Sequence, residues 1–386
     1  MMFKISSRLP GVVRASAAVV LVSLLAGCSV FSMFSGTKKP QPAELQAFTP
    51  LVSARQSWNN RVGKVSFPLE VAVAGNTLGV AGDDGSVAMV DAQTGRDIWR
   101  VALNTPIAAG VGTDGKVAAV VTRANEVIAL QDGRELWRQK LNAQVFSAPL
   151  VTGARVFVLA GDRSVTAFDG QTGRRLWAQS RPTEPLILRQ SGVLLAVGDT
   201  LVVGIAGRMA GLNPLNGSVR WEVPLATPRG INDVERLVDL VGRVSRRDDI
   251  VCARAFQAAI GCVNTTRGNL VWSKPANGGD GIDGDDRLLF GAEADGTVLA
   301  WRRTDGERAW TSERLRYRMP TAPLVAGRSV VFGDFAGFVH LLSREDGSLL
   351  NRLPTDGSAI AASPVLAGTT LVAVTRNGNI YGFQPE

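Results

Sequence analysis

Short apolar runs of five or six residues, each bounded by Gly, Asp or Asn, recur along almost the whole chain after residue 50. In "NAQVFSAPLVTGARVFVLAGDRSVTAFDGQTGRRLWAQ" the runs "SAPLV", "RVFVLA", "SVTAFD" and "RRLWAQ" are separated by "TG", "GD" and "GQTG". Such runs are too short for helices and rich in Val and Phe, which predicts four antiparallel strands joined by tight turns. Alternation places Val156, Val158 and Ala160 on one face, with Val165 and Ala167 joining them across a turn. Four strands of about five residues with turns of about four make a unit of roughly forty residues.

The unit repeats. Its central hairpin recurs as "LGVAGDDGSVAMV", "AAVVTRANEVIAL", "VFVLAGDRSVTAF", "LVVGIAGRMAGL", "IVCARAFQAAIGCV", "LLFGAEADGTVLAW", "VVFGDFAGFVHLL" and "LVAVTRNGNIYGF", eight copies in all. A turn ending in Trp follows most of them, with Trp at 99, 137, 177, 221, 272 and 310, and Asn351 continues the series. A period near forty built from four strands predicts a propeller. The eighth hairpin ends at Phe383 and has no fourth strand of its own, while Trp58 lies 41 residues before Trp99. The expected fold is therefore an all-β, eight-bladed β-propeller of four-stranded antiparallel blades, closed by the N-terminal strand, which removes the open sheet edges.

The recurring "TG" or "DG" supplies the positive φ of a tight turn, and the preceding Asp or Gln is placed to bond its backbone. The Trp that follows is read as a wedge between blades, since one buried indole removes roughly 150–250 Å² from water.

The N-terminus carries other information. Residues 1–27 pair Lys4, Arg8 and Arg14 with an apolar stretch from Ala15 to Leu25, the pattern of a secretory signal. "LAGC" resembles a bacterial lipobox and makes Cys28 the expected lipidation site, with Ser29 rather than Asp after it pointing to the outer membrane, periplasmic side. Residues 28–50 read as a flexible tether, of which twenty residues extended reach roughly 65 Å; residues 51–386 read as the propeller. The net charge of +8 contains no Lys/Arg block, so it reads as solvated surface, and no nucleic acid partner is expected.

Candidate chemistry is sparse. His340 is the only histidine and sits mid-strand in "GFVHLL", which reads as structural. "GGDGIDG" contains Gly279, Gly281 and Gly284 in dinucleotide-fingerprint spacing, but a strand follows rather than a helix. Asp280, Asp283, Asp285 and Asp286 lack calcium-loop spacing and read as a solvated connector. No catalytic residue, metal site or cofactor is expected. Cys252 and Cys262 lie five residues either side of Gln257, which favours a cross-strand disulfide over two buried thiols.

Two Trp spacings are long, 44 residues from Trp177 to Trp221 and 51 from Trp221 to Trp272. The added length falls within "SRPTEPLILR" and "ATPRGINDVERLVD", both connecting the outer strand of one blade to the inner strand of the next. All such connections emerge on one face, so Leu186, Leu188 and Arg189 with Glu235, Arg236 and Asp239 form one expected partner-binding patch, apolar at its centre and charged beside it.

The turn-and-Trp signature is similar to the quinoprotein-type (PQQ-like) tryptophan-docking repeat. Together with the lipobox and N-terminal closure, the chain resembles the B lipoproteins of the outer-membrane β-barrel assembly machinery. That resemblance implies a non-enzymatic scaffold that binds the POTRA domains of the barrel subunit (BamA) and assists unfolded outer-membrane protein clients. It matches Leu186, Leu188 and Arg189 to an L-x-L-R binding element and Asp239 to one acid of a D-x-D pair whose second position is Val241 here. The alternatives are a quinone-dependent dehydrogenase, which requires a vicinal Cys pair that Cys28, Cys252 and Cys262 do not form, and a lipoprotein that binds an envelope polymer.

Overall fold

The computed structural model describes residues 40–180, 186–228 and 237–385. Among them are thirty-two strands and no helix, arranged as eight four-stranded antiparallel sheets. Blades 1 to 7 occupy residues 72–102, 107–140, 150–179, 194–224, 240–275, 283–312 and 324–354. Blade 8 takes its three inner strands from the C-terminus, Val365–Ala367, Thr370–Val374 and Asn379–Pro385, and its outer strand, Ala54–Arg61, from the N-terminus. Consecutive blades touch near the axis in chain order, by their inner strands or, from blade 4 to blade 5, through blade 4's second strand, and blade 8 touches blade 1, so the ring is closed. Residues 1–27, read from the sequence as a secretory signal, and Cys28 lie outside the described residues.

Each blade packs against a neighbour on both faces, and this decides which residues are buried. In blade 3 the turn is closed by Ala160 N–H to Ser164 O (2.9 Å), which pairs Leu159 with Val165, Phe157 with Ala167 and Val156 with Phe168. Val156 and Val158 consequently pack with Phe168 toward blade 2, whereas Val165 and Ala167 join Phe157 and Leu159 toward blade 4. Val165 and Ala167 are thus on the face opposite to the one alternation suggests, because the turn length sets the parity of the pairing. Both faces of the middle strands are dry, so their sequences are almost continuously apolar.

The outer strands behave differently. They are polar, and their main apolar commitment is the Trp. Trp137 of blade 2 lies on Gly173 of blade 3, where an added Cβ would fall 2.6 Å from the indole. Trp58, Trp177, Trp221, Trp272 and Trp310 meet Gly95, Gly217, Gly268, Gly306 and Gly347 in the same way, while Trp99 sits farther from Gly133, at 3.5 Å or more from an added Cβ. The indole N–H of Trp58, Trp137, Trp177, Trp272 and Trp310 donates to a carbonyl of that same neighbouring turn, at 2.8–3.0 Å. The turn is held in shape by its Asp: Asp169 Oδ1 accepts from the N–H groups of Gln171 (3.1 Å) and Thr172 (2.9 Å) and from the Thr172 hydroxyl. Glycine therefore serves twice, taking φ +70° at Gly173 and leaving room for the indole of the preceding blade.

Asn351 replaces Trp at one seam only, between blades 7 and 8. Blade 8 has no turn there for an indole to meet, since its outer strand arrives from the other end of the chain. Asn351 instead donates its side-chain N–H to Val52 O (2.7 Å), fastening the incoming strand.

Two alanine substitutions in blade 3 separate the two roles of glycine. Gly153 has φ +57° and open space around it, so Gly153→Ala should cost about 1 kcal/mol from backbone strain alone. Gly173→Ala adds the collision with Trp137 and should cost about 2–3 kcal/mol more. Denaturant midpoints will check this; equal losses would show that the docked indole is not a constraint.

Candidate functional site

The two enlarged connections, between blades 3 and 4 and between blades 4 and 5, emerge on the same face as the central-hairpin turns. The tip of blade 3's hairpin, Gly161-Asp162-Arg163-Ser164, stands between them. Arg163 is buried, at 7% side-chain exposure, and holds φ +62°. Its Nε donates to Asp239 Oδ1 at 3.0 Å, and its Nη2 donates to Leu186 O at 3.2 Å. One guanidinium therefore ties both connections to blade 3, and its planar fork suits it to hold two acceptors at once.

The neighbouring residues complete a shallow cleft. Ile187 is half-buried, with its Cδ1 seated over Gly161, where a Cβ would come within 2.5 Å, and beside Phe146. Arg189 is exposed, and its guanidinium lies 5.7 Å from the centre of the Phe146 ring. Leu186 and Leu188 are partly exposed, and Leu188 lines the cleft with Leu159 and Val241. Val241 is buried and bridges to Gly192, so at this position the backbone joins the first connection to the inner strand of blade 5.

Of the patch read from the sequence, the fold brings Leu186, Leu188, Arg189 and Asp239 together around Arg163. Glu235 and Arg236 lie outside the described residues. Asp239 faces inward, its carboxylate only 17% exposed. Arg163 and Ile187 were not legible as site residues: Arg163 sits in an ordinary hairpin turn, and nothing local marks it as the partner of an acid 76 positions away.

The other candidates disperse. Asp283 pairs with Arg243 (3.3 Å), Asp285 with Arg344 (2.9 Å) and Asp286 with Arg247 (3.1 Å), so these carboxylates point to different partners. Asp280 is open to solvent yet ringed by protein, which pushes its carboxyl up against the pull of Arg254. Among the described residues no group of three or more His, Cys, Asp or Glu could hold a metal ion. His340 Nε2 lies 2.9 Å from Asp334 Oδ2, which also accepts from Arg318 at 2.7 Å. Burial holds the imidazole below its ordinary pKa despite the Asp334 partner, so it is neutral near pH 7. For Asp334, burial raises the carboxyl, but bonds from His340, the Phe338 N–H and Arg318 outweigh it and keep it ionised.

The central channel is crossed by Arg243, which leaves the inner strand of blade 5 and donates to Pro364 O (3.0 Å) at the entry to blade 8. Cys252 and Cys262 stand opposite each other in the central hairpin of blade 5, which turns at Gln257, and their sulfurs are 2.04 Å apart. The Arg303 guanidinium lies 3.4 Å from Cys252 Sγ, stapling blade 6 to this pair.

The family model described as "Outer membrane protein assembly factor BamB" matches residues 83–312. A protein of that name from Burkholderia pseudomallei is 37% identical over 95% of this chain and 97% of its own length. One from Bordetella pertussis is 36% identical over 94% and 95%. In fold, the chain is similar to the crystal structure of BamB from Moraxella catarrhalis, with a TM-score of 0.78 at 23% identity, covering 86% of this chain and all of that one. It is also similar to the quinohemoprotein alcohol dehydrogenase from Comamonas testosteroni, with a TM-score of 0.66 at 14% identity over 86% of this chain and 78% of that one. At such identities the likeness is one of fold, which enzymes and non-enzymes share.

The Arg163 junction yields a measurable coupling. Arg163→Met leaves Asp239 without this partner and should destabilise the protein by about 3 kcal/mol, while adding Asp239→Leu should restore at least about 1 kcal/mol. A double-mutant cycle by chemical denaturation will read the coupling; strictly additive losses would mean that the pair does not hold the connections.

Proposed function

The chain belongs to the BamB family of outer membrane protein assembly factors, and from that premise we propose that it is a non-enzymatic scaffold lipoprotein that binds the POTRA domains of the barrel subunit. Membership places it with the β-barrel assembly machinery of the outer membrane. The finer reading is that Cys28 carries the lipid, that the propeller of residues 51–386 faces the periplasm, and that the cleft beside Arg163 is the docking point.

A single observation carries the docking reading: the two enlarged connections share one buried guanidinium, which leaves Leu188 and Arg189 at the surface of a rigid mount. A partner that buries an aliphatic side chain and pairs with an adjacent Arg gains most when both are already held in place. Asp239 then acts from inside, by positioning the connection rather than by touching the partner. The dehydrogenase alternative gains nothing from the channel, where Arg243 reaches across the space between the inner strands.

Replacing Leu188 and Arg189 together by Ala should weaken the partner by at least ~2 kcal/mol, or roughly thirtyfold, and abolish its co-purification through a C-terminal tag. The β-type circular dichroism and melting temperature should barely move, because neither side chain belongs to the blade cores. Retained binding would move the docking point elsewhere.

Replacing Cys28 by Ser should leave the propeller folded and free the protein from membranes, since lipid chains rather than a spanning helix would be the anchor. Sedimentation with membranes in high salt would contradict it.

A further inference from the structure

The stretch read from the sequence as the end of the tether lies against the propeller. Ala43 N–H donates to Arg316 O (2.9 Å), and Ala43 O accepts from Arg318 (3.1 Å). Arg352 donates to Gln46 O (2.7 Å) and lies 4.9 Å over the Phe48 ring. Leu51 N–H donates to Leu350 O (2.8 Å), Leu51 O accepts from Arg328, and Val52 O accepts from Asn351. Three of these donors belong to blade 7 or its seam, and Arg318 is itself fixed by the buried Asp334. The segment thus runs along the outer strand of blade 7, from the face bearing the enlarged connections to the opposite face.

We propose that residues 43–52 are a strap that fixes the exit of the N-terminal tether on the rim of blade 7, across the ring from the Arg163 junction. Blades follow chain order around the ring, so blade 7 stands four places from blade 3 in a closed ring of eight. Fourteen residues, 29–42, then separate Cys28 from the strap and can span at most about 50 Å. Pull from an anchored N-terminus enters at blade 7, and the docking cleft is held on the far rim. This consequence for orientation rests on the lipid-anchor reading; the strap itself does not.

Amide hydrogen exchange on the full-length protein in detergent tests the strap. The Ala43 and Leu51 amides of the strap should exchange roughly a hundredfold more slowly than in a free peptide, because they are bonded to blade carbonyls. Phe48→Ala removes only the ring under Arg352 and should speed exchange across the strap by about tenfold, with blade 7 peptides unchanged. Adding Arg352→Ala should speed it further. Free-peptide exchange in the unaltered protein overturns the proposal, and so does blade 7 accelerating with the strap in Phe48→Ala. Failure of Cys28→Ser to release the protein would remove the anchor reading and leave the exchange result standing.

Discussion

An indole lying on a glycine is the contact on which this molecule depends. A blade is a small sheet with two apolar faces and cannot fold alone, so each must be fixed to the next. The core faces supply most of the apolar burial, which is non-directional. Trp137 on Gly173, with its N–H on Gly170 O, sets position as well as attraction. At roughly 25 cal/mol per Å², one indole contributes a few kcal/mol, and the repeated contact locks a ring that has no free blade. Glycine, Asp and Trp in the turn are three parts of one joint, which is why the turn recurs.

The seam between blades 7 and 8 shows the rule by its exception. The chain must break somewhere, and there the receiving turn does not exist. Asn351 accordingly holds a carbonyl of the incoming strand, and the segment just before that strand is gathered along the same blade by Arg352, Arg328 and Leu350. Closure and the fixing of the preceding segment are therefore one local problem with one local solution.

A rigid ring also explains how one face comes to carry the enlarged connections. The joints lie on the face of the outer-strand turns, leaving the opposite face free to vary in loop length. Two neighbouring connections are long, and Arg163 converts them from separate loops into a mount. The channel is spanned by a guanidinium bonded to a backbone carbonyl and a carboxylate.

The sequence by itself determined the ring: period, turn residues, strand count and the missing eighth outer strand all follow from local patterns that nearest-neighbour physics must satisfy. It also placed the two long connections and the symmetric Cys252 and Cys262. It did not determine which face of blade 3 carries Val165 and Ala167, because pairing parity depends on turn length to a single residue. Nor did it show Arg163 beneath Asp239, or residues 43–52 against blade 7. Those contacts join positions far apart in the chain through single side chains, with no periodicity to betray them, and only the packing of neighbouring blades, with ring closure for residues 43–52, brings their atoms within reach.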